Sequence, residues 1–186
     1  VLNVPNLLSL LRLLAVPVFL ILLGDRRFPE ALCIFLAAGL TDALDGAIAR
    51  LTHTRTTLGA YLDPAADKLL LMSAFIALGL MDEVPSWLVV IVLSRDVTLI
   101  LGYFLLFTMT SHAMEVRPSL AGKLSTCAQL CAVAVVLLRH VRPDLVPPTL
   151  EGGLFIGTGV VTAAAGIQYV ARGLTWLQRQ GPAPSI

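Results

Sequence analysis

Four aspartates stand out from an apolar sequence. Asp42, Asp45, Asp63 and Asp67 lie in the stretch TDALDGAIARLTHTRTTLGAYLDPAADK, from Thr41 to Lys68, with Gly46, Ala49, Arg50 and Gly59 between them. At about 100° per helical residue, Asp42, Asp45, Gly46 and Ala49 share one stripe roughly 100° wide, with Arg50 at its edge. Gly59, Asp63 and Asp67 repeat the pattern at i, i+4 and i+8 on a second helix. Two acidic helical faces can meet across the polar turn from Leu51 to Leu58. Carboxylate oxygens so grouped suit the hard cations Mg²⁺ or Mn²⁺. Two ions about 3.5–4 Å apart would balance four carboxylates and could clamp the attacking and leaving oxygens of a phosphoryl displacement. Gly46 and Gly59 are then points where a ligand approaches the backbone closely.

The elements that must carry these faces are membrane spans. The 186 residues are 57% hydrophobic and only 13% charged, against roughly 25% charged in soluble domains. Apolar runs of about 20 residues recur along the chain, each long enough to cross a hydrocarbon core. Spans at roughly 4–24, 30–50, 58–81, 86–109, 119–138 and 152–172 predict an all-α integral membrane protein. Residues 1–186 then form a single domain of six transmembrane helices around a polar cleft, with a frayed tail at 178–186. With no charged leader and cleavage site at the start, the first apolar run is expected to be retained. Antiparallel traversal puts Arg50, Arg55, Arg117, Arg172 and Arg179 on one side and Arg26, Arg27, Arg139 and Arg142 on the other. The small excess marks the first side as cytoplasmic. Arg12, the four aspartates, Lys68 and Lys123 fall in the halves of their spans nearest that side, with Arg95 near the middle, so the cleft is expected to open there.

One aspartate at a helix centre costs about 2.5–3.5 kcal/mol on insertion, and four cost on the order of 10 kcal/mol, comparable to the stability of a whole domain. Divalent cations can offset this, as can pairing with Arg50, Lys68, Arg95 or Lys123. Arg95 and Asp96 point about 100° apart on a helix, so each is expected to find its partner on another helix. Arg12 either snorkels to the headgroups or faces an anionic centre. Asp63 before Pro64 also fits a helix N-cap followed by proline. Gly153 and Gly157 have the spacing of close helix packing, with a dimer seam as the alternative. Cys127 and Cys131 read as small residues in a helix contact, and three cysteines support no disulfide framework. His53, His112 and His140 read as solvated loop residues. A net charge of +1 without a basic stripe argues against nucleic acid as a partner. A cation or proton transporter also uses intramembrane aspartates, but spreads them toward the midplane instead of crowding one leaflet.

The series Asp42-x2-Asp45-Gly46-x2-Ala49-Arg50-x8-Gly59-x3-Asp63-x3-Asp67 resembles the complete signature of the CDP-alcohol phosphatidyltransferases. The similarity continues from Pro5-Asn6 through Ser94-Arg95-Asp96 to Gly122-Lys123 and Gln129. The resemblance implies a six-helix enzyme of the lipid bilayer, usually a homodimer, placed in bacteria in the inner membrane with its cleft facing the cytoplasm. Such enzymes transfer a phosphatidyl group from CDP-diacylglycerol to an alcohol and release CMP. Carried onto this chain, Asp42, Asp45 and Asp63 would bind metal, and Asp67 would join them and act as the base on the acceptor hydroxyl. Gly46, Ala49, Gly59 and Asn6 would line the CDP pocket, Arg50 would hold the diphosphate, and Arg95 and Lys123 would bind the acceptor. Glycerol 3-phosphate is the first acceptor, on the Gly122-Lys123 element. Phosphatidylglycerol is a close second, since phosphatidylglycerophosphate synthases commonly have Arg-Glu where this chain has Arg95-Asp96, and the run from Ser94 to Gly102 is more like the cardiolipin synthases.

Overall fold

The computed structural model describes residues 4–52, 57–110 and 120–180, and the side chains of 11–41, 68–102 and 120–175. Six α-helices follow one another: α1 Val4–Gly24, α2 Phe28–Thr52, α3 Thr57–Leu80, α4 Ser86–Thr110, α5 Leu120–Val141 and α6 Pro148–Gln180. A short 3₁₀ turn, Pro143–Leu145, joins the last two. Each expected span is one helix. At the C-terminus α6 runs past 172 to Gln180, so residues 178–180 of the supposed frayed tail are helical. Because α3 starts at Thr57, the Asp63-Pro64 pair lies within the helix, which removes the N-cap reading.

Two hairpin turns at one end of the bundle use the same stop signal. After α1, Arg27 N–H donates to Leu22 O and Arg26 N–H to Leu23 O, with Arg26 at φ 56°. After α3, Glu83 N–H donates to Leu78 O and Asp82 N–H to Gly79 O, with Asp82 at φ 59°. This is the Schellman arrangement, in which a left-handed residue turns the chain back and satisfies the last carbonyls of the helix. Neither left-handed position is a glycine, so the usual sequence cue is missing.

The helices close into a ring. α1 packs on α2 and α3, α2 on α5, α5 on α6, α6 on α4, and α4 on α3, while α3 also touches α5 across the middle. The described halves of α2 and α3 are thus each packed against both α1 and α5. The apolar core fills the end of the ring nearest the hairpin turns. It includes Phe19 and Leu23 of α1, Ala31 and Phe35 of α2, and Leu71, Phe75 and Leu78 of α3. Leu88 and Val92 of α4, Val133, Val136 and Leu137 of α5, and Phe155 of α6 complete it. Phe19 and Phe35 meet with ring centroids 5.8 Å apart.

A charged clasp seals that end. The Arg139 guanidinium on α5 donates to both Glu151 oxygens on α6 at 2.8 Å and to Glu83 in the α3–α4 turn. His140 Nε2 lies 3.0 Å from Glu83 Oε2, and its ring stacks on Phe28 of α2 at 3.8 Å and 8°. His140 is therefore a helical residue that ties elements together, not the solvated loop residue expected. His53 and His112 lie outside the described residues.

The outer face is apolar as well, with Leu14, Ile21, Leu36, Leu40, Val90, Leu101, Ile156 and Val160 all exposed. Among the described residues, Leu120–Val141 and Pro148–Thr175 are long and apolar enough to cross a membrane by length and composition. In such surroundings apolar transfer drives little, and helix contacts rest on dispersion and on polar pairs. Two small-residue expectations change here. Cys127 and Cys131 are exposed among the described residues, so they do not fill a buried helix contact there. A Cβ added at Gly153 or Gly157 would meet nothing within 4 Å, whereas one at Gly159 would stand 2.6 Å from the Trp87 ring. The close approach of α4 and α6 thus depends on Gly159, and the Gly153/Gly157 face points away from the bundle.

Replacing Arg139 with Leu leaves Glu151 and Glu83 without their guanidinium, and should lower stability by on the order of 3 kcal/mol. A thermal melt in detergent reads this. The Arg142–Asp144 pair, at 3.4 Å with both side chains 61% exposed, should contribute nothing measurable when Arg142 becomes Ala.

Candidate active site

Above the apolar core lies a layer of buried polar side chains. Arg12 is 2% exposed, and Asp96, Ser125, Gln129, Thr158 and Thr162 are 0% exposed. Burial of Arg12 decides against snorkelling and places it inside the ring. It stands twelve residues before the end of α1, and Lys68 stands twelve before the end of α3. At 1.5 Å per residue both are about 18 Å from the hairpin end.

Helix α6 measures the layer from both sides. Along α4 it meets Trp87 at Gly159, Arg95 at Gly166 and Gly102 at Tyr169, so the two helices run parallel. Along α5 it runs antiparallel: Thr162 Oγ1 accepts from Ser125 Oγ and Gln129 Nε2, each at 3.1 Å, and Thr158 Oγ1 donates to Ala128 O. Lys123, two residues before Ser125, therefore comes level with Gly166 to within about a turn. The two cations assigned to the acceptor thus stand at one depth on opposite flanks of α6, Arg95 buried and Lys123 exposed.

Arg95 is not a bare cation. Its Nη1 donates to Asp96 Oδ1 at 2.5 Å, and Lys68 Nζ on α3 donates to the same oxygen. The expectation that Arg95 and Asp96 would not pair is wrong for Arg95. A guanidinium on a long flexible stem reaches round to the neighbouring residue even when the two Cβ directions diverge. Asp96 does gain a partner from another helix, Lys68. Asp96 Oδ2, Arg95 Nε and Gln129 Oε1 are buried without a hydrogen-bond partner among the described residues. Ser125, Thr158 and Thr162 were not singled out from the sequence. Their signal was i, i+4 spacing of small polar residues, Ser125 with Gln129 and Thr158 with Thr162, which also fits ordinary helix packing.

Helix α2 carries Asp42, Asp45, Gly46, Ala49 and Arg50, helix α3 carries Gly59, Asp63 and Asp67, and α1 carries Asn6. Their side chains lie outside the described residues. The backbone still constrains them. From Thr52 to Thr57 the chain can span at most about 18 Å, which bounds the separation of the end of α2 from the start of α3. Phe19 against Phe35 sets the register of the α1–α2 hairpin, and seven residues further along each helix are Arg12 and position 42. Equal rise brings the start of the aspartate series to the depth of the buried arginine. Among the described residues no group of three or more His, Cys, Asp or Glu could hold a metal ion.

A helical ring with charge buried at one depth belongs to proteins that handle polar groups in apolar surroundings. The sequence profile of CDP-alcohol phosphatidyltransferases matches residues 2–175. A Mycobacterium tuberculosis protein named "Probable phosphatidylglycerophosphate synthase" is 36% identical over 92% of this chain and 82% of its own length. The CDP-diacylglycerol--glycerol-3-phosphate 3-phosphatidyltransferase of Bacillus subtilis is 32% identical over 91% of this chain and 94% of its own. The cardiolipin synthase (CMP-forming) of Homo sapiens is 36% identical over 73% of this chain and 50% of its own. The chain belongs to the CDP-alcohol phosphatidyltransferase family and is a transferase of phospholipid biosynthesis. A transporter reading of the aspartates is set aside by that membership.

Thr162→Val removes the shared acceptor of Ser125 and Gln129 and should destabilise by about 1–3 kcal/mol. Gln129→Met also deletes the unpartnered Oε1 and leaves Ser125 and Thr162 bonded to each other, so its melting temperature should fall less. The order of the two melts checks the network.

Proposed function

We propose that this enzyme transfers the phosphatidyl group of CDP-diacylglycerol to glycerol 3-phosphate, giving phosphatidylglycerophosphate and CMP. The observation that carries this reading is the unbroken aspartate signature on α2 and α3 beside a layer of buried cations. Its support on the acceptor is that relatives named for glycerol 3-phosphate chemistry align over nearly the whole chain. The protein would cross the membrane six times, as a homodimer in a bacterial inner membrane, with its cleft open to the cytoplasmic side.

Four carboxylates on adjoining helices fit a hard divalent cation, and Asp42, Asp45, Asp63 and Asp67 would hold Mg²⁺ or Mn²⁺. When bound, such ions draw charge from a diphosphate and make CMP a better leaving group. Arg50 would grip the diphosphate, while Gly46, Ala49, Gly59 and Asn6 leave room for the nucleotide. Asp67 would take the proton of the acceptor hydroxyl as its oxygen attacks the phosphorus on the lipid side and the bond to the CMP oxygen breaks. Arg95 and Lys123 would face the acceptor phosphate from the two sides of α6. Phosphatidylglycerol is the second reading, favoured by Asp96 after Arg95 and by the human relative named cardiolipin synthase. A phosphodiester acceptor of that kind carries one charge where glycerol 3-phosphate carries up to two.

Purified protein given labelled CDP-diacylglycerol, Mg²⁺ or Mn²⁺ and a panel of alcohols should release CMP with glycerol 3-phosphate and stop when the metal is chelated. Cardiolipin formed from phosphatidylglycerol would transfer the assignment to the second reading, and absence of CMP with every alcohol would refute both. Asp67→Asn should keep CDP-diacylglycerol binding and lose about 10²–10⁴-fold in turnover. Near-normal turnover would remove Asp67 as the base.

A further inference from the structure

Asp96 is the one carboxylate of the described site layer, and solvent does not reach it. It is 0% exposed, and both of its polar contacts run through Oδ1, to Lys68 Nζ and to Arg95 Nη1. Of its two partners, the Lys68 side chain is 30% exposed and the Arg95 side chain 8%. The anion is thus fully buried, held by one partly exposed and one buried cation. Lys68 directly follows Asp67 in α3, and the Arg95 stem rests on Gly166 of α6, whose added Cβ would meet Arg95 Cγ at 3.5 Å. One carboxylate therefore joins three helices, α3, α4 and through Arg95 α6, at the depth shared with Lys123.

Charge decides what this does. Within this trio, two cations held by one anion leave a single excess positive charge. Without the anion, two cations a few ångströms apart in a low-dielectric setting repel each other, and the flexible lysine moves first. We propose that Asp96 is a positioning residue for acceptor binding: it holds Lys68 and Arg95 in the place and charge balance that an anionic acceptor meets, without touching the acceptor itself. This rests on the reading of Arg95 as an acceptor contact, and it adds Lys68 to the acceptor site.

The test is steady-state kinetics on the full-length enzyme, varying glycerol 3-phosphate and CDP-diacylglycerol separately. Asp96→Asn keeps the size and one acceptor oxygen but removes the charge. It should raise KM for glycerol 3-phosphate about tenfold and leave KM for CDP-diacylglycerol within about twofold. Asp96→Glu restores the carboxylate on a longer arm and should raise the acceptor KM only about threefold, with a melting temperature close to the parent. If Asp96→Asn does not fold, the glutamate variant decides by the same KM. A lower melting temperature with both KM values unchanged would make Asp96 a structural residue and overturn the proposal, as would a parallel rise in both KM values. Arg95→Lys separates the premise. If it leaves the acceptor KM unchanged while Asp96→Asn raises it, Arg95 is not the contact and Asp96 acts through Lys68. If neither changes it, both ideas fail.

Discussion

A charge buried away from water must be matched or it will not stay charged, and this protein is built around that constraint. An unpaired ion in a medium of low dielectric costs several kilocalories per mole even after relaxation. Asp96 avoids the cost by taking both Lys68 and Arg95, and because these come from different helices the match also fixes how α3, α4 and α6 stand. The same rule governs the opposite end, where Glu151 and Glu83 share Arg139. Each pairing is multivalent, so each converts an electrostatic requirement into a geometric one.

The two charged layers have different work. The clasp at the hairpin end lies beyond an apolar core of Phe19, Phe75, Leu78 and Leu137 and ties α2, α5, α6 and the α3–α4 turn together. The layer containing Arg12, Asp96 and Gln129 lies on the other side of that core, toward the aspartate helices. In lipid, apolar burial between helices gains little over lipid contact, so hydrogen bonds such as Gln129 to Thr162 carry directional information that leucines cannot.

Family membership makes this chain a transferase of phospholipid biosynthesis, and the buried layer shows how it holds charge among apolar helices. The proposed site divides between helices: the aspartate signature lies on α2 and α3, while Lys68, Arg95 and Lys123 come from α3, α4 and α5. Helix α6 has no acidic or basic residue at this depth, yet its Thr162 bonds Ser125 of α5 and its Gly166 takes the stem of Arg95 of α4.

Much could be read without coordinates. The aspartate signature pointed to the family that the sequence profile then matched, and the apolar runs around it declared six helices, because length and hydropathy are local properties. The partners of Arg95, Lys68 and His140 could not be read that way. Spacing along one helix reports the direction of a Cβ, but a long cation chooses among all anions within its reach, and those are set by the packing of other helices. Whether Gly159 or the Gly153/Gly157 pair is the point of close approach depends on which face of α6 turns inward. The sequence alone determined the family and the number of helices. Only the tertiary structure decided the pairing, depth and facing of the side chains, since these come from contacts between residues far apart in the chain.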